Sequence, residues 1–285
     1  MKFKYNHNKF IIIKKKYSIN GLFGFYVSYL GCIKKGYIPI LDLSSFPNIF
    51  NRFNINSVNE NPWELFFNQP YGYQLKNIKK YAKYIKYINC YPKERPDTSN
   101  IFRNNSILKF WHNIAQKFTP IKNEIINEAN RIKKNMFKGS SNILGILLRG
   151  TDYITRKPKY HPVQPNPEIV IKDTKLFDEK YNYDYIFITT EDDLIRVKFI
   201  KEFRIKLKFI IDNKSIKYSY KEKQFLGFNK NINGNMNYTK VYLINIIILS
   251  KCLDIICSRT GGSIGAFIFS KDFRNAKIYF LGRYK

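Results

Sequence analysis

The feature of the sequence that most constrains its fold is a regular alternation of short apolar runs and helical segments after Gly139. Nearly continuous apolar runs of this length are typical of strands buried on both faces of a parallel sheet. The segments between them carry helix signals, such as Asn166 as an N-cap followed by Pro167 and Glu168. The predicted strands are Ile143–Leu148, Tyr185–Thr189, Leu207–Ile211, Leu253–Cys257 and Ile278–Leu281. This alternation predicts an α/β fold whose C-terminal part is a doubly wound parallel sheet.

Polar clusters directly follow three of these strands, at Arg149–Asp152, Thr190–Asp193 and Ser258–Ser263. Because the carboxyl ends of parallel strands meet at one edge of a sheet, we expect the three clusters to converge there. The glycine-rich turn in the last cluster opens a predicted helix and would present backbone N–H groups to a phosphate. It lacks the lysine of a P-loop and the glycine spacing of a dinucleotide site, so neither an NTPase nor a dehydrogenase is predicted. Taken alone, the first cluster is equally compatible with a surface Arg149–Asp152 pair in an ordinary turn.

The first half of the chain begins with a predicted β-α-β unit. An apolar run at Phe10–Ile13 is followed by a helical pattern that begins at Leu22 and is ended by Gly36. A strand then runs into Asp42, which is a candidate site residue because it lies at a strand end. Capping of the following serine turn is the alternative role of this carboxylate.

The middle of the chain is rich in aromatic residues and leads into two helices. Trp63 and Glu64 lie in its centre, where the aromatic side chains are expected to pack in the core or, alternatively, to form a platform for a sugar. Ser106–Met136 predicts two helices that break at Pro120, followed by a hinge. A domain boundary near Gly139 would give an N-terminal acceptor-side domain with linking helices, 1–138, and a C-terminal nucleotide-sugar-binding domain, 139–285.

The chain is strongly basic. Its 285 residues include 50 Lys and Arg against 21 Asp and Glu, a formal net charge of +29. Such a charge favours nucleic acid, anionic membrane surfaces or phosphorylated small molecules as partners. The excess is mostly Lys spread along the chain together with abundant Asn, Ile and Tyr, as an AT-rich genome would produce. We find no clustered basic stripe and no nucleic-acid-binding motif, so nucleic acid is not the predicted partner.

Cysteine usage and hydropathy indicate the compartment. The four cysteines do not form the dense framework of a small secreted domain. Cys252 and Cys257 have no neighbouring His or third Cys, which predicts buried thiols rather than a zinc site. No apolar stretch resembles a signal peptide or approaches the roughly 20 residues that span a bilayer. We therefore expect a cytoplasmic protein, with peripheral contact to an anionic membrane left open.

These motifs together resemble the fucosyltransferase superfamily that includes the α1,6- and protein O-fucosyltransferases and bacterial relatives. The resemblance covers nearly the whole chain, and its most specific part is Thr151-Asp152 followed by His161-Pro162. The segments that carry it are GLFGFYVSYLGCIKKGYIPILDL, NPWELFF, LLRGTDY with YHPVQP, FITTEDD and LSKCLDIICSRTGGS. The resemblance implies a GT-B-like architecture, in which two Rossmann-like domains face a cleft and the C-terminal one holds a GDP-sugar. It also implies inverting transfer of fucose or a similar sugar to a glycan acceptor.

The resemblance implies a set of site residues as well. Arg149 would neutralise the donor diphosphate, and because the sequence contains no Asp-x-Asp pattern, no metal and no other cofactor is expected. Arg149 and Asp152 are the catalytic candidates. The donor-binding candidates are Arg149, Thr151, His161, Glu191, Asp192, Asn245, Ser258, Arg259 and Thr260. The acceptor-side candidates are Asp42, Trp63 and Glu64.

The sequence departs from the family pattern at four positions. Leu147 replaces a His, Gly150 replaces a second Arg, and Asn245 replaces an acidic residue. Lys157 stands where the α1,6 enzymes have a Glu base, so the base is unassigned. Two other functions therefore stay open: a catalytically inactive sugar- or nucleotide-binding module of the same fold, and a basic nucleic-acid-binding protein.

Overall fold

The chain forms two parallel β-sheets with helices packed against them. The computed structural model describes residues 10–13, 22–42, 61–78, 85–88, 94–97, 100–210, 236–270 and 272–285. Within these ranges one sheet has three strands and the other has five. The predicted α/β class with a doubly wound parallel sheet is confirmed.

The three-stranded sheet belongs to the first half of the chain. It contains β1 (Phe10–Ile13), β2 (Ile38–Leu41) and β3 (Ile85–Ile88) in the order β2-β1-β3. Both neighbours pair with β1 in parallel, and α1 (Leu22–Lys34) connects β1 to β2. The predicted β-α-β unit is therefore confirmed, whereas β3 was not predicted because Lys86 interrupts its short apolar pattern.

The five-stranded sheet follows the second-half pattern. Its strands are β4 (Ile143–Leu147), β5 (Tyr185–Thr189), β6 (Leu207–Lys208), β7 (Asp254–Ser258) and β8 (Asn275–Tyr279). All neighbours are parallel, in the order β6-β5-β4-β7-β8. The strand order reverses at β4, which is the position where open sheets of this kind bind ligands.

Two 3-10 helices, Pro62–Leu65 and Pro70–Gly72, and eight further α-helices occur in the part of the chain that the structure describes. The α-helices are α2 (Leu75–Ile78), α3 (Asn105–Phe118), α4 (Asn123–Met136), α5 (Thr151–Arg156), α6 (Pro167–Tyr181), α7 (Asp193–Phe203), α8 (Met236–Leu249) and α9 (Gly261–Phe269). The predicted break at Pro120 separates α3 from α4. None of the described helices is long and apolar enough to cross a membrane.

Four element predictions need correction. Strand β6 ends at Lys208 rather than at Ile211, because Phe209 and Ile210 do not continue the pairing with β5. The last strand begins at Asn275 rather than Ile278, because its start is fixed by hydrogen bonds to Asp254 rather than by an apolar pattern. Helix α8 begins at Met236 rather than Val241, and α5 was predicted only as a strand-end turn. The serine turn after Asp42, the predicted strand end at Ile211 and Cys90, one of the four cysteines, lie outside the described residues.

A single buried hydrophobic cluster contains side chains from both halves of the chain, including Trp63 and Phe67 together with Leu147 and Phe267. Helices α1 and α9 approach so closely that a Cβ atom on Gly265 would lie 2.1 Å from a ring carbon of Phe23. The core thus continues across the predicted boundary near Gly139, and the division into two domains stays a prediction.

The cysteine prediction is confirmed for the second half. Cys252 and Cys257 are buried free thiols, and burial raises the pKa of each thiol to about 12. Thiols that stay protonated in an apolar setting are chemically inert.

Candidate functional site

The three polar clusters follow neighbouring strands. Strand β4 lies between β5 and β7, and Leu147 is in register with Thr189 on one side and Cys257 on the other. The chain leaves all three strands at the same edge of the sheet, as the sequence predicted. This edge, at the carboxyl ends of β5, β4 and β7, is the candidate site.

Arg149 forms an ion pair with Glu191 at the centre of the edge. Nε of Arg149 lies 3.2 Å from Oε1 of Glu191, and the two side chains are 29% and 14% exposed. The same Oε1 accepts a hydrogen bond of 3.1 Å from the Gly150 N–H. Glu191 therefore fixes both the guanidinium and the backbone that follows β4, while part of Arg149 remains accessible to a ligand.

Tyr153 extends this arrangement and was not predicted as a site residue. The Arg149 guanidinium lies over its ring, 4.9 Å from the centroid. The Tyr153 hydroxyl lies 2.9 Å from Nδ1 of His161, and the tautomer decides which atom donates. Arg149 precedes the N-cap Gly150 of α5, so no helical spacing in the sequence could have indicated the contact. His161, a predicted donor contact, is thus connected to Arg149 through one aromatic ring.

Asp192 is a buried residue that supports the candidate site by capping α7 and packing against Gly150. It is 2% exposed and caps α7 by accepting hydrogen bonds from the N–H groups of Leu194, at 3.0 Å, and Ile195, at 3.3 Å. A Cβ atom on Gly150 would lie 2.4 Å from the Asp192 side chain. In this chain position 150 therefore favours glycine, because a side chain there would displace the capping carboxylate.

The other two departures that lie on this edge also take part in local packing. Leu147 is buried, and one of its methyl carbons would lie 3.3 Å from a Cβ atom on Gly262. Asn245 accepts a hydrogen bond of 3.4 Å from the Thr189 hydroxyl and donates one of 3.0 Å to the Val241 carbonyl. Asn245 therefore lies at the carboxyl end of β5, in the predicted neighbourhood of the donor.

The start of α9 supplies N–H groups to the same edge. Thr260 caps the helix, since its hydroxyl accepts a hydrogen bond of 3.2 Å from the Ser263 N–H. The Ser263 hydroxyl in turn donates to the Ser258 carbonyl. The hydroxyl of Ser258 is buried, with no partner among the described residues. The first-turn N–H groups, which a helix does not itself satisfy, together with the positive helix end suit an anion.

Arg259 belongs to a different group of side chains. It is only 8% exposed, and its guanidinium lies 5.1 Å from the ring centroid of Phe280. Arg103 contacts the same ring at 4.5 Å. Burial, and then the charges of Arg283 and Arg103, lower the pKa of Arg259 from its ordinary value. Sequence reasoning identified only Arg259 in this group.

The acceptor-side candidates have structural partners in the first half. Trp63 is fully buried and stacks on Phe67 with ring centroids 4.3 Å apart, which is the core packing that the sequence favoured over a sugar platform. Glu64 accepts hydrogen bonds from the Leu75 N–H, at 2.8 Å, and from the Gln69 amide, at 2.9 Å. Asp42 is buried at the end of β2. Trp63 and Glu64 thus stabilise the segment 61–78, and an acceptor role stays a prediction.

Thr151 and Asp152 occupy the first turn of α5, directly after Gly150. The structure describes their backbone and not their side chains, so their roles stay predictions. Among the described residues, no group of three or more His, Cys, Asp or Glu side chains is placed to hold a metal ion. The expected absence of a metal in the reaction also stays a prediction.

The fold can be compared with solved structures. It is similar to POFUT1 in complex with GDP, with a TM-score of 0.50, 11% sequence identity and coverage of 96% of this chain and 99% of that one. It is also similar to fucosyltransferase NodZ from Bradyrhizobium, with a TM-score of 0.48, 12% identity and 97% of each chain covered. For NodZ α-1,6-fucosyltransferase soaked with GDP-fucose the TM-score is 0.48, with 12% identity and 92% coverage of each chain. No protein-family model and no curated protein matches the sequence. At 11% identity the likeness to POFUT1 concerns the fold, and the chain therefore has a fucosyltransferase-like fold.

Proposed function

We propose that the protein is a glycosyltransferase that transfers fucose or a similar sugar from a GDP-sugar to a glycan acceptor. The observation that best supports this proposal is the position of Arg149. Arg149 follows β4, and α9 begins after the neighbouring strand β7. The partly exposed guanidinium of Arg149 therefore lies at the carboxyl edge of the sheet, where open sheets bind ligands. The similar POFUT1 fold was solved with GDP, which makes a GDP-sugar the natural donor class.

The first step of the proposed mechanism is orientation of Arg149. Glu191 contacts Nε of the guanidinium, and the Tyr153 ring supports its face. A guanidinium fixed in this way can bind two oxygens of a diphosphate at once, with its orientation set before the donor arrives. In the proposed complex Glu191 is thus a positioning residue, and Arg149 contacts the donor.

The second step is stabilisation of the leaving group. As the bond between the sugar and the diphosphate breaks, negative charge grows on the diphosphate. Arg149 and the first-turn N–H groups of α9 would meet that charge with groups already in place, the arrangement that contributes most to catalysis in many enzymes. We therefore propose transfer that requires no metal ion. That the transfer inverts the anomeric centre is proposed from the family resemblance.

The remaining candidates have narrower proposed roles. His161, Asn245 and Ser258 surround the edge and are proposed donor contacts. Asp152 is the second catalytic candidate because its backbone lies two residues beyond Gly150 at the same edge. The acceptor's base is not assigned. Thr151, Asp192 and Thr260 complete the proposed donor set, with Asp192 and Thr260 acting through the helix starts that they cap.

A binding module of the same fold is the second candidate function. It is favoured by the capping roles of Asp192 and Thr260, whose polar groups are already engaged within the protein. The two functions differ in one result: an enzyme releases GDP from GDP-fucose with an acceptor or with water, and a binding module holds the intact donor.

A further part of the proposal concerns location. The net charge of +29 would favour peripheral contact with an anionic membrane or an anionic lipid-linked acceptor. Sedimentation with neutral and anionic vesicles at low salt tests this part. Equal binding to both would leave genome composition as the source of the charge.

The proposed donor is tested by thermal unfolding in the presence of different nucleotides. A ligand at 100 times its dissociation constant stabilises the fold by about 2.7 kcal/mol. We expect GDP to raise the melting temperature of the protein much more than ADP, UDP or CDP does at equal concentration. An equal effect of all four nucleotides, or no effect of any, would contradict a GDP-sugar site.

A further inference from the structure

The loop that carries His161 is held by a segment from a distant part of the chain. Pro162 and Arg283 form an isolated antiparallel β-bridge, so the two segments run side by side in opposite directions. We name residues 158–164 the histidine loop and residues 282–284 the clamp. The clamp follows β8, which ends at Tyr279, and lies outside the five-stranded sheet.

Three backbone hydrogen bonds join the clamp to the histidine loop. The Tyr160 N–H donates to the Tyr284 carbonyl, and the Tyr284 N–H donates to the His161 carbonyl, each at 2.9 Å. The Val163 N–H donates to the Gly282 carbonyl at 3.1 Å. These bonds lie before, at and after His161, so the clamp fixes the backbone that carries the imidazole.

The backbone of Tyr160 shows that the histidine loop depends on this support. Its φ is 66°, in the left-handed region that a tyrosine rarely adopts, and its side chain is 67% exposed, so packing contributes little to holding this conformation. The Tyr160 carbonyl accepts a hydrogen bond of 2.8 Å from the Arg283 guanidinium, and its N–H is bonded to Tyr284. The clamp thus binds both backbone polar groups of the strained residue. Strain of this kind persists only where the surroundings fix it, and it is concentrated at functional sites.

The clamp is connected to the proposed donor site through His161. Nδ1 of His161 lies 2.9 Å from the Tyr153 hydroxyl, and the two rings meet edge to face with centroids 5.2 Å apart. The Arg149 guanidinium lies over the same Tyr153 ring, 4.9 Å from its centroid. A shift of the His161 backbone would therefore move the imidazole against Tyr153 and change the support of Arg149.

The clamp itself contributes little to the hydrophobic core. Gly282 and Arg283 are exposed, Tyr284 is half-buried, and none of the three belongs to a buried hydrophobic cluster. Because stabilisation by apolar burial scales with the area removed from water, a short exposed segment adds little to it. Displacing the clamp should therefore change the histidine loop before it changes the core.

We propose that the clamp is a positioning element for donor binding, which acts through the Tyr284 N–H on the backbone of His161. With the clamp in place, His161 and Tyr153 are oriented before the donor arrives, and the cost of ordering them is not charged to binding. The inference rests on the proposed transferase function in naming the donor. The connection from the clamp to His161 rests on the contacts alone.

The test uses the full chain with Tyr284→Pro, which removes the N–H that donates to the His161 carbonyl. Lys285→Pro is the matched control, because the Lys285 N–H makes no hydrogen bond within the described residues. Tyr284→Ala removes the same ring as Tyr284→Pro but keeps the N–H. Melting temperatures verify that each variant is folded. If Tyr284→Pro does not fold, Arg283→Gln, which removes the bond to the Tyr160 carbonyl, takes its place.

The first readout is the NMR signal of the His161 imidazole, from its Cε1–Hε1 group, in the protein without nucleotide. The sequence contains three histidines, and His161→Ala identifies the signal. We expect Tyr284→Pro to shift it, while the signal of His112, which contacts the Ile268 carbonyl at the end of α9, stays unchanged. Tyr284→Ala should shift the His161 signal less, and Lys285→Pro should leave it in place.

The second readout is the affinity for GDP, measured by calorimetry. His161→Ala should weaken GDP binding about tenfold, the usual loss for one hydrogen bond to a charged group, and Tyr284→Pro about three- to tenfold. Because the clamp acts through His161, adding Tyr284→Pro to His161→Ala should cause no further loss. A segment that only stabilised the fold would lower the melting temperature and leave GDP affinity unchanged.

Four results would overturn the inference: an unchanged His161 signal in Tyr284→Pro, unchanged GDP affinity in this variant, equal effects of Tyr284→Pro and Lys285→Pro, or losses that add in the double variant. If the wild-type protein bound no GDP, the proposed donor would be wrong. The His161 signal would then still decide whether the clamp positions the histidine loop.

Discussion

Two arginine–carboxylate pairs lie at opposite ends of the five-stranded sheet, and their surroundings differ. At the amino end of β7, Asp254 is completely buried and pairs with Arg274. It also accepts hydrogen bonds from Tyr183 and from the Asn275 N–H, the latter at 2.7 Å. At the carboxyl end, Arg149 contacts Glu191 through one nitrogen and keeps part of its surface accessible.

From this difference we predict that the Asp254–Arg274 pair serves stability and that the Arg149–Glu191 pair serves function. Burial alone would raise the pKa of the Asp254 carboxyl, but hydrogen bonds from Arg274, Tyr183 and Asn275 outweigh burial, and the pKa lies below its ordinary value. Such a satisfied network fixes β8 against β7. The Arg149 side chain is oriented by Glu191 and still 29% exposed, and an oriented, accessible guanidinium is what a binding site for an anion requires.

The largest expected effect is on the proposed reaction. Arg149→Ala should slow GDP release from GDP-fucose about 100- to 1000-fold, the usual loss for one preorganised contact to a developing charge. Arg149→Lys should restore only part of the rate, because an ammonium lacks the paired donors of a guanidinium. Steady-state rates measured beside melting temperatures test this prediction. A near-normal rate in Arg149→Ala, or loss of the fold, would show that Arg149 is structural.

The opposite end of the sheet should respond in stability. Asp254→Ala leaves the Tyr183 hydroxyl and the Asn275 N–H without their acceptor, and we expect the free energy of unfolding to fall by about 3 kcal/mol. Urea unfolding followed by circular dichroism measures the change. Glu202→Ala, which removes an exposed partner of Lys175, is the control and should leave the unfolding midpoint nearly unchanged. A similar midpoint for both variants would mean that the Asp254 network is not stabilising.

Gly150→Ala tests the contact between the site and its support. The added methyl group would lie 2.4 Å from the Asp192 side chain, so the capping carboxylate or the backbone after β4 must shift. We expect a loss of about 2 kcal/mol in stability, typical of overpacking. Gly139→Ala is not a suitable control, because Gly139 has a φ of 83°. The control is Ala276→Gly, which changes an exposed residue of β8 and should alter stability only slightly. Unchanged stability in Gly150→Ala would show that Asp192 can move freely.

The smallest expected effect is a dependence on pH. The pKa of Asp254 is lower in the folded protein than in the unfolded chain, so its contribution is complete above the unfolded value of about 3.9 and is lost as pH falls through the folded value. The stability difference between the wild-type protein and Asp254→Asn should therefore narrow below about pH 4. Unfolding midpoints between pH 6 and pH 3 measure it. A difference that widens with acid would show that the carboxyl has a raised pKa.

Much of the fold could be predicted because its signals are local. The apolar runs of β4, β5 and β7 and the cap at Asn166 are encoded in adjacent residues, and topology then places the strand ends at one edge. Strand β8 was misplaced because contacts with Asp254, distant in sequence, set its start. A local sequence pattern cannot predict an interaction between residues that are distant in the sequence.

The site was predictable in the same way, and only in part. Arg149 and Glu191 were predictable because each lies in a polar cluster that follows a buried strand and in a motif that resembles the fucosyltransferase superfamily. Tyr153 and Phe280 were missed because an aromatic residue in a loop or short helix carries no sign of the cation that will lie over it. The packing constraint at Gly150 could not be predicted either, because it depends on where the Asp192 side chain lies in the fold.

The most direct test of the account is the affinity of GDP for Arg149→Ala and Arg274→Ala, measured side by side by calorimetry. Both substitutions remove one guanidinium from an ion pair of the same sheet. We predict that Arg149→Ala weakens GDP binding at least about tenfold, whereas Arg274→Ala lowers stability and leaves the affinity of the folded protein unchanged. Wild-type GDP affinity in Arg149→Ala, or an equal loss in both variants, would contradict a donor site at the carboxyl edge of the sheet.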